Sequence, residues 1–194
     1  MSRVVLVLGL LSLLALPATA QQDAPAQQNR IGIGVSIEPL TNFVLIDNEI
    51  FSSVELFAPS LYVPITLGQF RLEPEFSFVR DAVSDDDDTS SNSRLRVGTG
   101  LFYYNLIDKA NALYVGTRVG LARTAFTNPF SDDTESRTDF FIAPALGGEH
   151  YFGALSLGVE GQLQYTRIGS FDEDSDLSRS QLLVRALFFA RFHF

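Results

Sequence analysis

The chain has 194 residues, enough for one domain with its own interior, and it contains no cysteine. Disulfides and thiolate metal sites are therefore excluded. A formal net charge of −9, from 23 acidic and 14 basic residues, argues against nucleic acid as a partner, because phosphates need a basic face.

In chain order, residues 1–20 read as an export signal. Arg3 supplies a positive start, Val4 to Leu16 is an apolar run interrupted only by Gly9 and Ser12, and Pro17-Ala18-Thr19-Ala20 ends in small residues at cleavage-site spacing. The run is too short to cross a bilayer as a helix, which needs about 20 apolar residues. Gln21 follows the predicted cut, so a lipid-anchored cysteine is absent there. Loss of the signal would remove Arg3 and no acid, leaving 13 basic against 23 acidic residues, or −10. Residues 21–29 (QQDAPAQQN) are polar and read as a flexible lead-in. The remainder, 30–194, reads as one domain.

From Arg30 onward the pattern alternates with period two, and no useful window keeps a helical period. Eight strand-like segments are predicted, at 30–40, 54–67, 70–82, 94–107, 112–126, 138–152, 154–168 and 181–194. Long connections (41–53, 83–93, 127–137, 169–180) alternate with short ones (Gly68-Gln69, Asp108-Lys109-Ala110-Asn111, Gly153). Transmembrane barrels show this rhythm, with tight turns at one rim and longer loops at the other. An even strand count brings both ends of the domain to the tight-turn rim.

Two segments show the faces plainly. In 154–168, Leu155, Leu157, Val159, Gly161, Leu163 and Tyr165 alternate with Ser156, Gly158, Glu160, Gln162, Gln164 and Thr166. In 181–194, Leu182, Val184, Ala186, Phe188, Ala190, Phe192 and Phe194 alternate with a set that includes Gln181, Arg185, Arg191 and His193. A soluble barrel turned the other way would show the same parity. The export signal, the loop rhythm and the terminal phenylalanine favour an all-β, eight-stranded antiparallel up-and-down transmembrane barrel with its apolar face outward.

The last strand ends in Phe194 with Phe192 two positions before it, and it resembles the C-terminal signature read by the outer-membrane assembly machinery. Pro144 to Tyr165 (PALGGEHYFGALSLGVEGQLQY) resembles the penultimate hairpin of the small outer-membrane β-barrel family, the group around the OmpA transmembrane domain and OmpX. The resemblance covers 30–194 in pattern and is specific in residues over the last two hairpins. It implies an outer-membrane location, lipid and lipopolysaccharide as neighbours, and a monomer. A peptidoglycan-binding domain of the kind OmpA relatives often carry does not follow the barrel in this sequence.

Extending the parity places Glu38, Glu73, Glu75, Glu149 and Glu160 inward with Arg71, Arg96, Arg118, Arg185 and Arg191, and His193 besides. An eight-stranded barrel has room only for its own side chains. Opposite charges confined there are expected to pair, since an unpaired buried charge costs several kcal/mol. Arginine suits the task because its fork can hold two carboxylates. The expected lumen is an ion-paired plug, with a narrow ion path as the alternative.

Arg80, Arg123 and Arg167 share the apolar parity. They stand 10, 11 and 13 residues above the starts of their segments at 70, 112 and 154. At about 3.3 Å per residue and a tilt near 45° that is about 23–30 Å, the outer rim of an apolar band about 25 Å tall. The expectation is a ring of guanidiniums at the level of lipopolysaccharide phosphates.

No site for catalysis or a cofactor emerges. An envelope-lipid hydrolase or acyltransferase needs a nucleophile and a base, and both histidines, His150 and His193, fall at the tight-turn rim. Asp172-Glu173-Asp174-Ser175-Asp176 starts like a calcium loop but has Leu177 where glycine and Leu183 where a bidentate glutamate belong. Asp85 to Asp88, Asp132, Asp133, Glu135 and 172–176 place 11 of the 23 acids in three outer loops, so the outer rim should be strongly negative. Phe43 to Ile46 and Ile50-Phe51 make the first loop apolar, read as strand extension or a contact surface. A structural or surface-interaction barrel is the leading function, ahead of a channel and, further behind, an enzyme.

Overall fold

A computed structural model of the chain describes residues 29–38, 42–46, 49–53, 59–85, 88–108, 110–127, 134–170 and 179–194. The predicted signal, most of the lead-in, Lys109, Asp132, Asp133, 172–176 and the side chains of 43–46, 50 and 51 lie outside the described residues.

The alternating segments form eleven strands in one antiparallel sheet: β1 (Arg30–Ile37), β2 (Asn42–Ile46), β3 (Glu49–Ser53), β4 (Ser60–Tyr62), β5 (Ile65–Leu67), β6 (Phe70–Asp85), β7 (Asp88–Leu106), β8 (Asn111–Thr127), β9 (Thr134–Phe152), β10 (Leu155–Ile168) and β11 (Arg179–His193). β4 and β5 are two halves of one strand. Proline has no N–H to donate, so Pro64 interrupts the ladder. Yet Pro64 O accepts from Gly32 N at 2.9 Å, and Val63 N donates to Pro74 O at 3.0 Å. Inward parity runs unbroken through Ser60, Tyr62, Pro64 and Thr66.

The sheet closes on itself. β1 pairs with β11 on one side and with β4 and β5 on the other. β4 and β5 pair with β6, and sequential neighbours pair from β6 to β11. The result is the eight-stranded antiparallel barrel that the alternation predicts. Register partners followed once round the wall from Gly34 pass through Tyr62, Glu75, Gly98, Gly120, Phe141 and Thr166 to Gln181. Gly34 itself pairs with Arg191, ten residues along β11 from Gln181. Eight strands with that stagger tilt by about 40° and enclose a wall of radius about 8 Å. Such an interior admits side chains and little else.

The tight turns fall where predicted. Gly68 and Gly153 take φ of 60° and 70°, the left-handed region that two-residue hairpins require. The Asp108 carboxylate accepts from the backbone N–H groups of Ala110 and Asn111 at 2.8 and 2.7 Å, latching the third turn.

The long connections need correction. The span 83–93 is not a loop: β6 and β7 stay paired up to Asp85↔Asp88. Hydroxyl and β-branched residues at 83–84 and 89–91 are compatible with extended backbone there; Asp86 and Asp87 of the acidic run lie outside the described residues. The span 41–53 contains the β2–β3 hairpin, whose β2 continues along β11 from Phe43↔Val184 to Leu45↔Leu182. Strands also take Thr127 and Thr134–Arg137 from the third predicted loop and Arg179–Ser180 from the fourth.

Candidate functional site

Strand parity sorts the wall into two unlike faces. Outward positions below Arg80, Arg123 and Arg167 carry no charged residue among the described residues. Leu72, Phe76 and Phe78 on β6, Leu113, Val115 and Leu121 on β8, and Val184 and Phe188 on β11 are typical, all at least 42% exposed. Phe70–Tyr103, His150–Phe152 and Phe192–Phe194 are ring pairs near the tight-turn rim. They form an aromatic girdle where a bilayer interface would lie.

The inward face is the opposite. Glu38, Arg71, Glu73, Glu75, Arg96, Arg118, Glu149, Glu160, Arg185 and Arg191 are all buried in the lumen, and each has an oppositely charged partner. Toward the tight-turn end, Arg71 donates to both Glu149 oxygens at 3.0 and 3.2 Å, and Arg191 bridges Glu149 (2.5 Å) to Glu73 (2.9 Å). At mid-height Arg118 is the hub. Its Nε donates to Glu160 at 2.7 Å, one terminal nitrogen to Glu75 at 3.0 Å, and the other to Glu73 at 2.5 Å and Glu160 at 2.9 Å. Higher up, Arg96 holds Glu75 at 2.7 Å and Gln164 at 2.9 Å, while Arg185 reaches Gln164 at 2.5 Å and pairs with Glu38. A single charged network thus runs up the lumen. The forked geometry that favours arginine is used at Arg71, Arg118 and Arg191.

Aromatic rings fill what the charges leave. The guanidiniums of Arg96 and Arg191 lie 3.7 and 3.6 Å above the rings of Phe141 and Phe189, and Arg71 lies 4.3 Å above Tyr104. Such stacking attracts a cation to a ring face. Tyr104 and Tyr151 hydroxyls join Glu149, and Tyr114 donates to Glu160 at 2.8 Å. The sequence does not mark these lumenal aromatics, or Tyr62 and Gln164, as network members. Their parity marks them inward, but aromatic residues inside a barrel read as filling and not as charge carriers. Glycines make room for them: a Cβ on Gly147 would lie 2.2 Å from the Tyr114 ring.

The outward arginines stand level. Ten residues of stagger over eight strands mean that a horizontal line drops about 1.25 residues per strand against the register. Arg80 pairs with Ser93, and Leu95, two residues lower on β7, pairs with Arg123. Arg123 pairs with Thr138, and Phe140, two residues lower on β9, pairs with Arg167. Each step of two residues is about half a residue short of level, or about 1 Å. All three side chains are exposed on the outer wall. They stand about 25–30 Å above the lowest apolar residues, Phe70, Leu113 and Leu155. Above them the outward face turns to hydroxyls: Ser91, Ser93, Thr127, Thr134, Ser136 and Thr138. Arg123 donates to Ser136 Oγ at 3.2 Å.

The histidines sit near the tight-turn end. His150 Nδ1 lies 2.7 Å from Asn111 Oδ1. His193 Nε2 lies 3.0 Å from Ser156 Oγ, but Ser156 is 0% exposed. A serine sealed in the wall cannot meet an ester.

The sequence matches no protein-family model and no curated protein. Solved structures do match. The attachment invasion locus protein Ail of Yersinia pestis superimposes with a TM-score of 0.55 at 14% identity, covering 86% of this chain and 99% of Ail. Neisserial surface protein A gives 0.54 at 11% identity, covering 85% and 96%. This is the fold of the small outer-membrane β-barrels.

Proposed function

We propose that the protein is a closed barrel of the bacterial outer membrane with a structural and surface-interaction role and no enzymatic activity. The observation that carries this reading is the inversion of its faces: outside, an apolar wall without charge below the three arginines among the described residues, and inside, five carboxylates paired with five guanidiniums. Charges this well matched in a wall about 8 Å in radius support a plugged lumen over a water-filled one. Planar-bilayer recordings of the refolded protein test it. Wild type is expected to stay silent, and steady nanosiemens conductance would replace the plug by the alternative, a narrow channel.

Three finer readings accompany it. Arg80, Arg123 and Arg167 contact lipopolysaccharide phosphates, since guanidinium forks bind phosphate with paired hydrogen bonds. Phe192 and Phe194 serve as the signal for the assembly machinery. The barrel works as a monomer, because its apolar belt is solvated by lipid. Ail has been crystallised with the heparin analogue sucrose octasulfate, which supports polyanions as a ligand class for barrels of this shape. Lipopolysaccharide should co-purify with wild type and be lost from the Arg80→Ala/Arg123→Ala/Arg167→Ala variant. Equal retention would refute the phosphate contact.

A further inference from the structure

The lipid-facing wall is not uniform. A depression of about 440 Å³ crosses it over β8–β11, lined among others by Val115, Pro144, Leu146, Gly161, Leu163 and Val184. Its floor is Gly161. Register partners Leu146 on β9 and Ala186 on β11 flank this residue, and Gly161 offers no side chain between them. A Cβ placed there would meet only Leu146 O, at 3.9 Å. The rims are Leu146 and Val184, 62% and 55% exposed.

The depression lies under two of the three level arginines. Arg167 is on the same strand as Gly161, six residues higher, or about 15 Å at this tilt. Arg123 is two strands away, about 10 Å across the wall. Among the described residues neither is paired with a carboxylate. Arg80 stands at the same level on β6, away from the depression. One stretch of wall therefore offers two cations above and an apolar depression beneath them, at the depth of an acyl chain below a phosphorylated headgroup.

We propose that Arg123, Arg167 and the groove around Gly161 form one lipid site, which holds a lipid A phosphate between the two guanidiniums and one acyl chain in the groove. The inference rests on the phosphate-contact reading of the arginine ring and deepens it, from a ring that meets any outer-leaflet lipid to a single site with a defined chain path. These two guanidiniums, without a carboxylate partner among the described residues, give charge complementarity to the phosphate. The missing side chain at Gly161 lets the wall contact a chain where it would otherwise hold it off.

Native mass spectrometry of the refolded full chain, released from detergent micelles with bis-phosphorylated lipid A as probe, tests this. Wild type should retain one lipid A. Arg123→Gln/Arg167→Gln should lower retention on the order of ten-fold, the effect of losing paired charge-assisted hydrogen bonds. Gly161→Leu fills the groove without backbone conflict and should lower retention comparably, while Arg80→Gln, at the ring position away from the depression, should lower it clearly less than Arg167→Gln. Lipid A stripped of its phosphates should bind wild type no better than intact lipid A binds the double variant. Unchanged binding by Gly161→Leu, with its strand content confirmed by circular dichroism, would overturn the chain path. Equal losses in Arg80→Gln and Arg167→Gln would overturn the single site and leave a general ring. Phosphatidylglycerol displacing lipid A at equal concentration would overturn the choice of lipid. No loss in any arginine variant would overturn the underlying phosphate reading as well.

Discussion

Arg118 is the lumen's most connected residue, and its removal has a size that the geometry limits. Its guanidinium touches three carboxylates, Glu73, Glu75 and Glu160. Two of these keep another arginine: Glu73 keeps Arg191 at 2.9 Å, and Glu75 keeps Arg96 at 2.7 Å. Glu160 keeps, among the described residues, the Tyr114 hydroxyl at 2.8 Å and the Gln162 amide at 2.6 Å. Arg118→Met, which conserves much of the volume, therefore strands one carboxylate and not three. The expected loss is about 3–5 kcal/mol, the cost of breaking a buried pair from one side. Urea titration of the protein refolded in lipid vesicles, followed by far-UV circular dichroism, reads that loss. Adding Glu160→Gln should recover most of it, because removing both partners of a buried pair is often nearly neutral. The double-mutant cycle should then show a coupling of about 2 kcal/mol or more. A single-variant loss under about 1 kcal/mol, or strictly additive effects, would refute the claim that these groups form one interdependent network.

Deleting Phe194 should leave protein in the periplasm, visible on cell fractionation. It removes both the terminal ring and the Phe194 N–H that donates to Ile31 O at 2.8 Å across the closing seam; unchanged outer-membrane yield would count against the signal. Gly147→Ala should cost about 1–3 kcal/mol by overpacking, since the new methyl meets the Tyr114 ring, and the Gly161→Ala control should be nearly neutral in the same urea titration. At the 108–111 turn, the Asn111 side-chain amide first, then the backbone N–H groups of Ala110 and Asn111, hold the Asp108 carboxyl below the usual carboxylate range. A depressed folded pKa means that the latch is fully present above the unfolded pKa and is lost as pH falls through the folded one. The protection of the Ala110 and Asn111 amides, measured by NMR exchange relative to the intrinsic rate, should therefore fall on acidification through that range, and Asp108→Ala should abolish this pH dependence.

Much of the fold was legible because a barrel strand imposes a strict two-residue period, and one unbroken stretch such as 154–168 fixes both faces. The same parity placed Arg118, Glu160 and the other charged residues on one side of the wall. It gave no partners, since pairing depends on stagger, and stagger emerges only when β11 meets β1. The strand ends at 83–93 are hidden for a different reason. Serine, threonine and aspartate signal a turn when counted locally, whereas here a neighbouring ladder already formed below carries them as strand. The hydroxyls that extend β6–β9 are legible as strand only after the apolar belt beneath them is recognised.

β7 and β9 each run 19 residues, about 47 Å along the barrel axis at this tilt, against an apolar band about 25 Å tall. The ladder from β6 to β9 therefore continues about 12–15 Å beyond the level of the arginines. Whatever meets that region from outside meets backbone already fixed in a sheet. Ordering a free loop on binding costs about 1–2 kcal/mol for each residue immobilised, and a partner docking on the hydroxyl face of these strands avoids most of that loss. Side chains along the projecting strands can also be exchanged without altering the course of the chain that displays them.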